Sequence, residues 1–252
     1  ISSQLKVDRR DEALPPLKKF KEEVKTYPVL EEDRMELFFY NGYGGFIRDG
    51  SEYVIELKDN LQTPTPWINV IANPDFGFQV SENGSGFIWA ENSRENKITP
   101  WSNDATSDPS TEVIFIRDEE DGSLWTPTAL PIRDEGKYTI HHGWGYSKFY
   151  HDSHGISQKL TTYVPIEGPI KISLLKLYNH SEKERKLVLT YYIKPVMGVS
   201  PEDTLPFIVS DWDKDMEGIL IKNTYQTEYP QSIVGISCSE SIKSFTGDND
   251  EF

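Results

Sequence analysis

The chain has 252 residues, a formal charge of −15 and 37% hydrophobic residues, enough to bury the core of one large domain or two small ones. The acidic balance argues against the clustered Lys/Arg surface that nucleic acid or an anionic membrane face requires, and a single cysteine excludes an intrachain disulfide framework. No apolar run approaches a membrane span and no signal-peptide pattern opens the chain, so the expectation is a cytoplasmic protein with neither nucleic acid nor membrane among its partners.

Residues 1–35 are charged and lack β-type alternation. Leu17, Phe20, Val24 and Tyr27 fall near helical spacing after Pro15-Pro16, which predicts a partly helical connector packed on a domain at 36–252. Ile1 in place of an initiating Met fits a processed or excised piece. From Met35 onward the pattern turns to β. Candidate strands are 36–40, 52–57, 67–72, 77–81, 86–90, 113–117, 137–141, 146–151, 156–164, 170–179, 186–193, 218–223 and 233–238. Short strands separated by turn residues predict an all-β fold, a large two-sheet antiparallel β-sandwich.

Several local readings follow. Asp121-Gly122, between 113–117 and Leu124-Trp125, is a hairpin signal. Leu187, Leu189, Tyr191 and Ile193 alternate as one buried face requires. In 170–177 the apolar parity switches at Leu174–Leu175, which predicts a bulge or a strand buried on both faces. Residues 195–206, with four breakers, read as a loop. Cys238 ends an apolar run and reads as a buried, inert thiol.

The chemistry-bearing residues cluster between two tryptophans. Asn92-Ser93-Arg94-Glu95-Asn96 follows Trp89 and precedes Trp101, pairing flat rings with planar polar forks. Rings suit the apolar C–H faces of a sugar, and amide, guanidinium and carboxylate suit its hydroxyls. A polar turn that braces its neighbours, and tryptophans in an ordinary core, are the competing readings. His141-His142-Gly143-Trp144-Gly145-Tyr146, with His151 and His154 downstream, suggests a metal site. Adjacent strand residues point to opposite faces, however, so His141 and His142 do not converge on one ion, and no metal is expected. Asp211 to Glu217 lacks the sixth-position glycine of a calcium loop and reads as a solvated acidic turn. There is no nucleophile elbow, phosphate loop or dinucleotide fingerprint, and no catalytic residue is assigned.

A long run of motifs resembles the N-terminal domain of the inverting glycoside phosphorylases. These are Pro66-Trp67-Ile68-Asn69-Val70-Ile71, Phe76-Gly77-Phe78, Gly84-Ser85-Gly86-Phe87, Asn92-Ser93-Arg94-Glu95-Asn96, Thr99-Pro100-Trp101-Ser102-Asn103-Asp104 and His142-Gly143-Trp144-Gly145-Tyr146. The likeness covers nearly all of 37–252 and is nearest the branch acting on β-1,2-linked glucose oligomers, the 1,2-β-oligoglucan phosphorylases.

The resemblance implies a supersandwich of the galactose-mutarotase type, truncated here before its last strands and before an α-helical toroid that carries the catalytic Asp. Phosphorolysis would yield glucose 1-phosphate, with inorganic phosphate as co-substrate and no cofactor, and this chain alone would be inactive. Implied partners are a β-glucan oligosaccharide, the toroid and a second copy in a homodimer. The implied cleft-facing residues are Asn92, Arg94, Glu95, His141, His142 and Trp144. His141 stands where some members have an arginine that contacts the leaving sugar, which puts that contact in doubt. Two alternatives stay open: the phosphorylase-like domain of a cyclic β-1,2-glucan synthase, and a non-catalytic carbohydrate-binding module.

Overall fold

The computed structural model describes residues 36–59 and 61–247, so the connector expected at 1–35 lies outside the described residues. The strands in chain order are β1 (Gly44–Phe46), β2 (Glu52–Leu57), β3 (Ile68–Ala72), β4 (Phe76–Ser81), β5 (Gly86–Ala90), β6 (Glu112–Asp118), β7 (Leu124–Trp125) and β8 (Tyr138–Gly143). They continue with β9 (Tyr146–Ser153), β10 (Ile156–Tyr163), β11 (Ile172–Asn179), β12 (Leu187–Ile193), β13 (Ile208–Asp213), β14 (Gly218–Asn223) and β15 (Ile233–Ser237).

One layer is a six-stranded antiparallel sheet in the order β1-β2-β8-β9-β10-β11. Three smaller antiparallel sheets, β3-β4-β5, β12-β6-β7 and β13-β14-β15, complete the fold. Side chains alternate across the large sheet, so Ile55, Leu57, Ile140, Phe149 and Leu160 meet Ile71, Phe78, Val80 and Ile88 of β3-β4-β5 in one apolar core. Each such side chain, nearly stripped of water, contributes about 2 kcal/mol to folding. A smaller cluster of Ile116, Trp125 and Ile156 joins the β12-β6-β7 sheet to the other end of the large one.

The Phe-Gly-Phe motif has a packing cause. Gly77 pairs with Trp89 across β4 and β5, and a Cβ at Gly77 would stand 2.5 Å from the indole. The glycine lets the tryptophan lie flat across the strand.

Five expectations need correction. Residues 36–40 form no strand: only Phe38 bridges to Phe46, and Phe39 turns out at φ 55° into solvent. Leu187 packs with Ile116 and Trp125, but Leu189 and Tyr191 are exposed, because β12 is the edge of its sheet and the cluster it joins is short. No bulge interrupts β11, which keeps eight consecutive partners on β10. Leu175 and Leu177 pack inward, whereas Leu174 and Tyr178 face out, so the strand is not buried on both sides. Cys238 lies past the end of β15 and is exposed. Residues 195–206 hold a one-turn helix, Pro201–Thr204, with Pro201 in its first turn, where a missing N–H costs no hydrogen bond.

Neither β1 nor β13 is anticipated by the sequence. The first is short and glycine-rich. The second carries Asp211 and Asp213, half of the expected acidic turn, and Asp213 closes the β13–β14 hairpin by accepting the Met216 amide at 2.7 Å. The Asp121-Gly122 hairpin forms as expected, with Gly122 at φ 75° between β6 and β7. Among the described residues no helix is long and apolar enough to cross a membrane.

Candidate functional site

The site is built on β3 and the residue that follows it, where the inward positions read Asn69, Ile71, Asn73. Ile71 enters the core, and the two flanking amides fasten the strand along one end of the large sheet. Asn69 Nδ2 donates to the carbonyls of Gly143 and Tyr146, both at 2.9 Å, and approaches Ser147 Oγ at 3.2 Å. Asn73 Nδ2 donates to the carbonyls of Pro165 (3.0 Å) and Gly168 (2.8 Å), just past the end of β10. Its Oδ1 accepts the amides of Asp75 and Phe76.

A short chain of hydrogen bonds closes around the same strand. A carbonyl can only accept, so His142 Nε2 donates to Trp67 O at 3.1 Å. The His142 Nδ1 then accepts from the Ser147 hydroxyl at 2.9 Å. This arrangement needs a neutral imidazole, and burial pushes the His142 pKa down to about 4, helped by neighbouring His141. Trp67 is held from its other side as well, where its amide donates to Glu82 Oε2 at 2.7 Å. Burial pushes the Glu82 carboxyl up. Outside this frame lies an open cavity of about 350 Å³ lined by Asn41, Tyr53, Ile55, Trp67, Ile68 and His142. Tyr43 and Tyr53 both meet Trp67 edge to face, at 5.7 and 5.9 Å.

On the opposite face of the large sheet, His141 belongs to a different cluster. Its Nδ1 lies 2.6 Å from Glu52 Oε2, while the hydroxyl of Tyr146 and Lys148 Nζ (2.7 Å) both donate to Glu52 Oε1. Burial opposes charge on Glu52, but these three donors outweigh it and hold its carboxyl down to about 2. The same burial, with the Glu52 charge, lifts the Tyr146 phenol to about 12. The two adjacent histidines thus face opposite sides of the sheet, as strand geometry requires. His151 bonds Asp134 and stacks on Tyr138 at 3.8 Å, and His154 stacks on Trp125 at 4.4 Å. The four histidines therefore engage separate partners, and among the described residues no group of three or more His, Cys, Asp or Glu is placed to hold a metal ion.

Between the two faces, at the tip of the β8–β9 hairpin, stands Trp144, 82% exposed. The turn has two residues, Trp144 and Gly145, and Gly145 takes φ 86°, a conformation glycine adopts without strain. The other candidate tip follows β5. Asn92 Oδ1 accepts the amides of Arg94 and Glu95, both at 2.9 Å, forming an Asx turn. Arg94 and Glu95 pair at 3.2 Å near solvent, and Lys97 Nζ closes the turn from beneath by donating to Arg94 O at 2.7 Å. Trp101 is half exposed and Trp89 partly so, with Phe87 beside both at 5.7 and 5.0 Å.

The structure therefore gathers His141, His142 and Trp144 at one hairpin and Asn92, Arg94 and Glu95 at another turn. Asn92 bonds the amides within its own turn, whereas His142 bonds Trp67 and Ser147 and His141 bonds Glu52. Sequence reasoning passed over Asn69, Ser147, Glu52 and Lys148. A usable clue existed for Asn69: an amide in the same parity as a core isoleucine must bond something inside.

The glycosyl hydrolase 94 supersandwich domain matches residues 51–252. A cyclic β-(1,2)-glucan synthase, NdvB, of Rhizobium meliloti (strain 1021) is 35% identical over 252 residues, 100% of this chain and 9% of that protein. An N,N'-diacetylchitobiose phosphorylase of Vibrio proteolyticus is 32% identical over 148 residues, 58% of this chain and 18% of the relative. A solabiose phosphorylase of Paenibacillus borealis is 30% identical over 156 residues, 61% of this chain and 20% of the relative. The chain thus spans a fifth or less of the length of these curated relatives.

Proposed function

This chain belongs to the glycosyl hydrolase 94 supersandwich family, and from that premise we propose that it is the sandwich portion of a larger enzyme acting on β-1,2-linked glucose chains. The observation that carries the linkage is the match along the whole chain to a protein named for β-(1,2)-glucan. The likenesses to phosphorylases of other disaccharides support the reaction class, transfer of a glycosyl unit to inorganic phosphate, and need no other co-substrate or cofactor.

In this reading the sandwich presents Trp144 and the Asn92–Arg94–Glu95 turn to the acceptor side of a cleft completed by a helical toroid, with a second copy as a further partner. His141 and His142 shape that surface from behind. No catalytic acid is assigned to these residues, so the chain alone is expected to be inactive. The single cysteine suits a cytoplasmic setting.

The test is release of glucose 1-phosphate by the whole parent protein from sophorose or longer β-1,2-glucans with inorganic phosphate. Turnover is expected with these and not with the isolated chain. Failure with every β-glucobiose, or turnover by the chain alone, overturns the reading.

A second reading, the phosphorylase-like section of a cyclic glucan synthase, is favoured by the same match, which runs along all of this chain and 9% of that protein. Deleting this section from the parent would then alter the length distribution of the glucan product, read by mass spectrometry.

A further inference from the structure

We propose that Asn69 is a positioning residue for saccharide binding, acting through the β8–β9 turn to hold the Trp144 indole as a platform for one glucopyranose ring. The inference rests on the β-glucan reading above and adds a residue to it.

A two-residue hairpin ordinarily keeps its base through the bonds between its own strands, and its tip is the first part to open. Here the base is held from a third strand. Asn69 Nδ2 reaches the carbonyls of Gly143 and Tyr146, the residues on either side of Trp144-Gly145, at 2.9 Å each. Ser147, which Asn69 also approaches, donates a hydrogen bond to His142, and His142 donates to Trp67, two residues before Asn69. The turn is therefore fixed to β3 on both sides of the strand's entry. Fastening of this kind fixes the backbone from which the tip side chain projects, which leaves less ordering to be done on binding.

The side chain carried by this turn is a large apolar ring with 82% of its surface in water, between Gly143, over which the Tyr146 ring lies, and Gly145, which has open space around it. A sugar ring offers the matching surface, a flat array of C–H bonds with hydroxyls at the rim.

The experiment is a double-mutant cycle in the whole parent enzyme, titrated with sophorose and longer β-1,2-glucans. Trp144→Ala is expected to weaken glucan binding roughly tenfold. Asn69→Ala is expected to weaken it severalfold when Trp144 is present, raising KM for the glucan with kcat unchanged, and to have no further effect when Trp144 is alanine. If Asn69→Ala does not fold, Asn69→Ser takes its place. Enzyme carrying 5-fluorotryptophan gives a second readout: the Trp144 fluorine resonance should shift with added sophorose in the wild type and shift less in Asn69→Ser. Equal losses from the Asn69 change in both backgrounds would assign it a purely structural role and overturn the proposal. Undiminished glucan affinity in Trp144→Ala would also overturn it. Absence of any β-glucan binding by the wild type would instead strike the proposed function, and this inference with it.

Discussion

The two candidate tips, after β5 and between β8 and β9, are held in different ways. The turn after β5 is capped by its own residues, with Asn92 folding back on the amides of Arg94 and Glu95 and Lys97 bonding Arg94 O, while Lys97 also donates to Val199 O at 3.1 Å and so ties the turn's base to the later chain. The β8–β9 tip is organised from a distance, by Asn69 and Trp67, more than seventy residues earlier in the chain. A turn capped by its own side chains depends less on its surroundings for the shape of its tip. A turn held from elsewhere reports on the packing of one sheet against another, because its backbone is bonded to a strand of the second sheet.

The sharpest way to break this contrast is at Glu52, beneath the β8–β9 hairpin. Glu52 is 8% exposed and holds His141, Tyr146 and Lys148 together. Glu52→Ala leaves a part-buried cation and two polar groups without their acceptor, and a loss of about 3 kcal/mol in urea unfolding is expected. The same carboxyl gives an acid limb to the stability curve. Its folded pKa is depressed from 4.5 to about 2, so its contribution is fully present above about pH 4.5 and disappears as pH falls toward 2. The Glu52→Gln variant should lose its share of that limb and keep the part that Asp134, also held down to about 2, contributes.

A somewhat smaller effect, at milder pH, is expected from His142. Its pKa falls from 6.5 in the free side chain to about 4 in the fold. The depressed value means that the unfolded chain takes up this proton first. Stability should therefore be steady above about pH 6.5 and decline as pH drops from there toward 4, by up to roughly 2–3 kcal/mol. The His142→Gln variant retains a donor for Trp67 O without titrating, so its unfolding midpoint should be flatter across this window than that of the wild type. An unchanged profile would mean that the Ser147–His142–Trp67 connection does not require a neutral ring.

How far the sequence could be read follows the same division between local and distant causes. The strands 52–57, 86–90 and 218–223 coincide with β2, β5 and β14, because their alternation and bounding turns are local facts. The opposite facing of His141 and His142 follows from strand geometry alone. The Asx turn at Asn92 likewise needs only its own neighbours. What could not be read was set by distant partners. Leu189 and Tyr191 carry a core-like pattern, yet their strand lies at a sheet edge, and edge position is a property of topology. Cys238 ends an apolar run but falls one residue beyond β15, where pairing stops. Glu52 and Lys148 are separated by nearly a hundred residues and meet only because β2, β8 and β9 are neighbours.

The smallest expected effect is the most discriminating for the comparison itself. Asn92 is exposed, and its two accepted bonds stay within three residues, so water can replace what a substitution removes. Asn92→Ala should cost about 0.5 kcal/mol in urea unfolding and leave the cooperativity of the transition unchanged. Asn69→Ala, which removes a part-buried amide from carbonyls on another sheet, should cost about 2 kcal/mol by the same measurement. Amide hydrogen exchange separates the two plans further. Removing Asn92 should raise exchange only at Arg94 and Glu95, the amides it caps. Removing Asn69 should raise exchange at Ser147 and Tyr146 and also along β3, because the clamp fastens both elements at once. Equal costs for the two asparagines, or exchange confined to the hairpin in Asn69→Ala, would show that the β8–β9 tip stands on its own and that β3 merely rests against it.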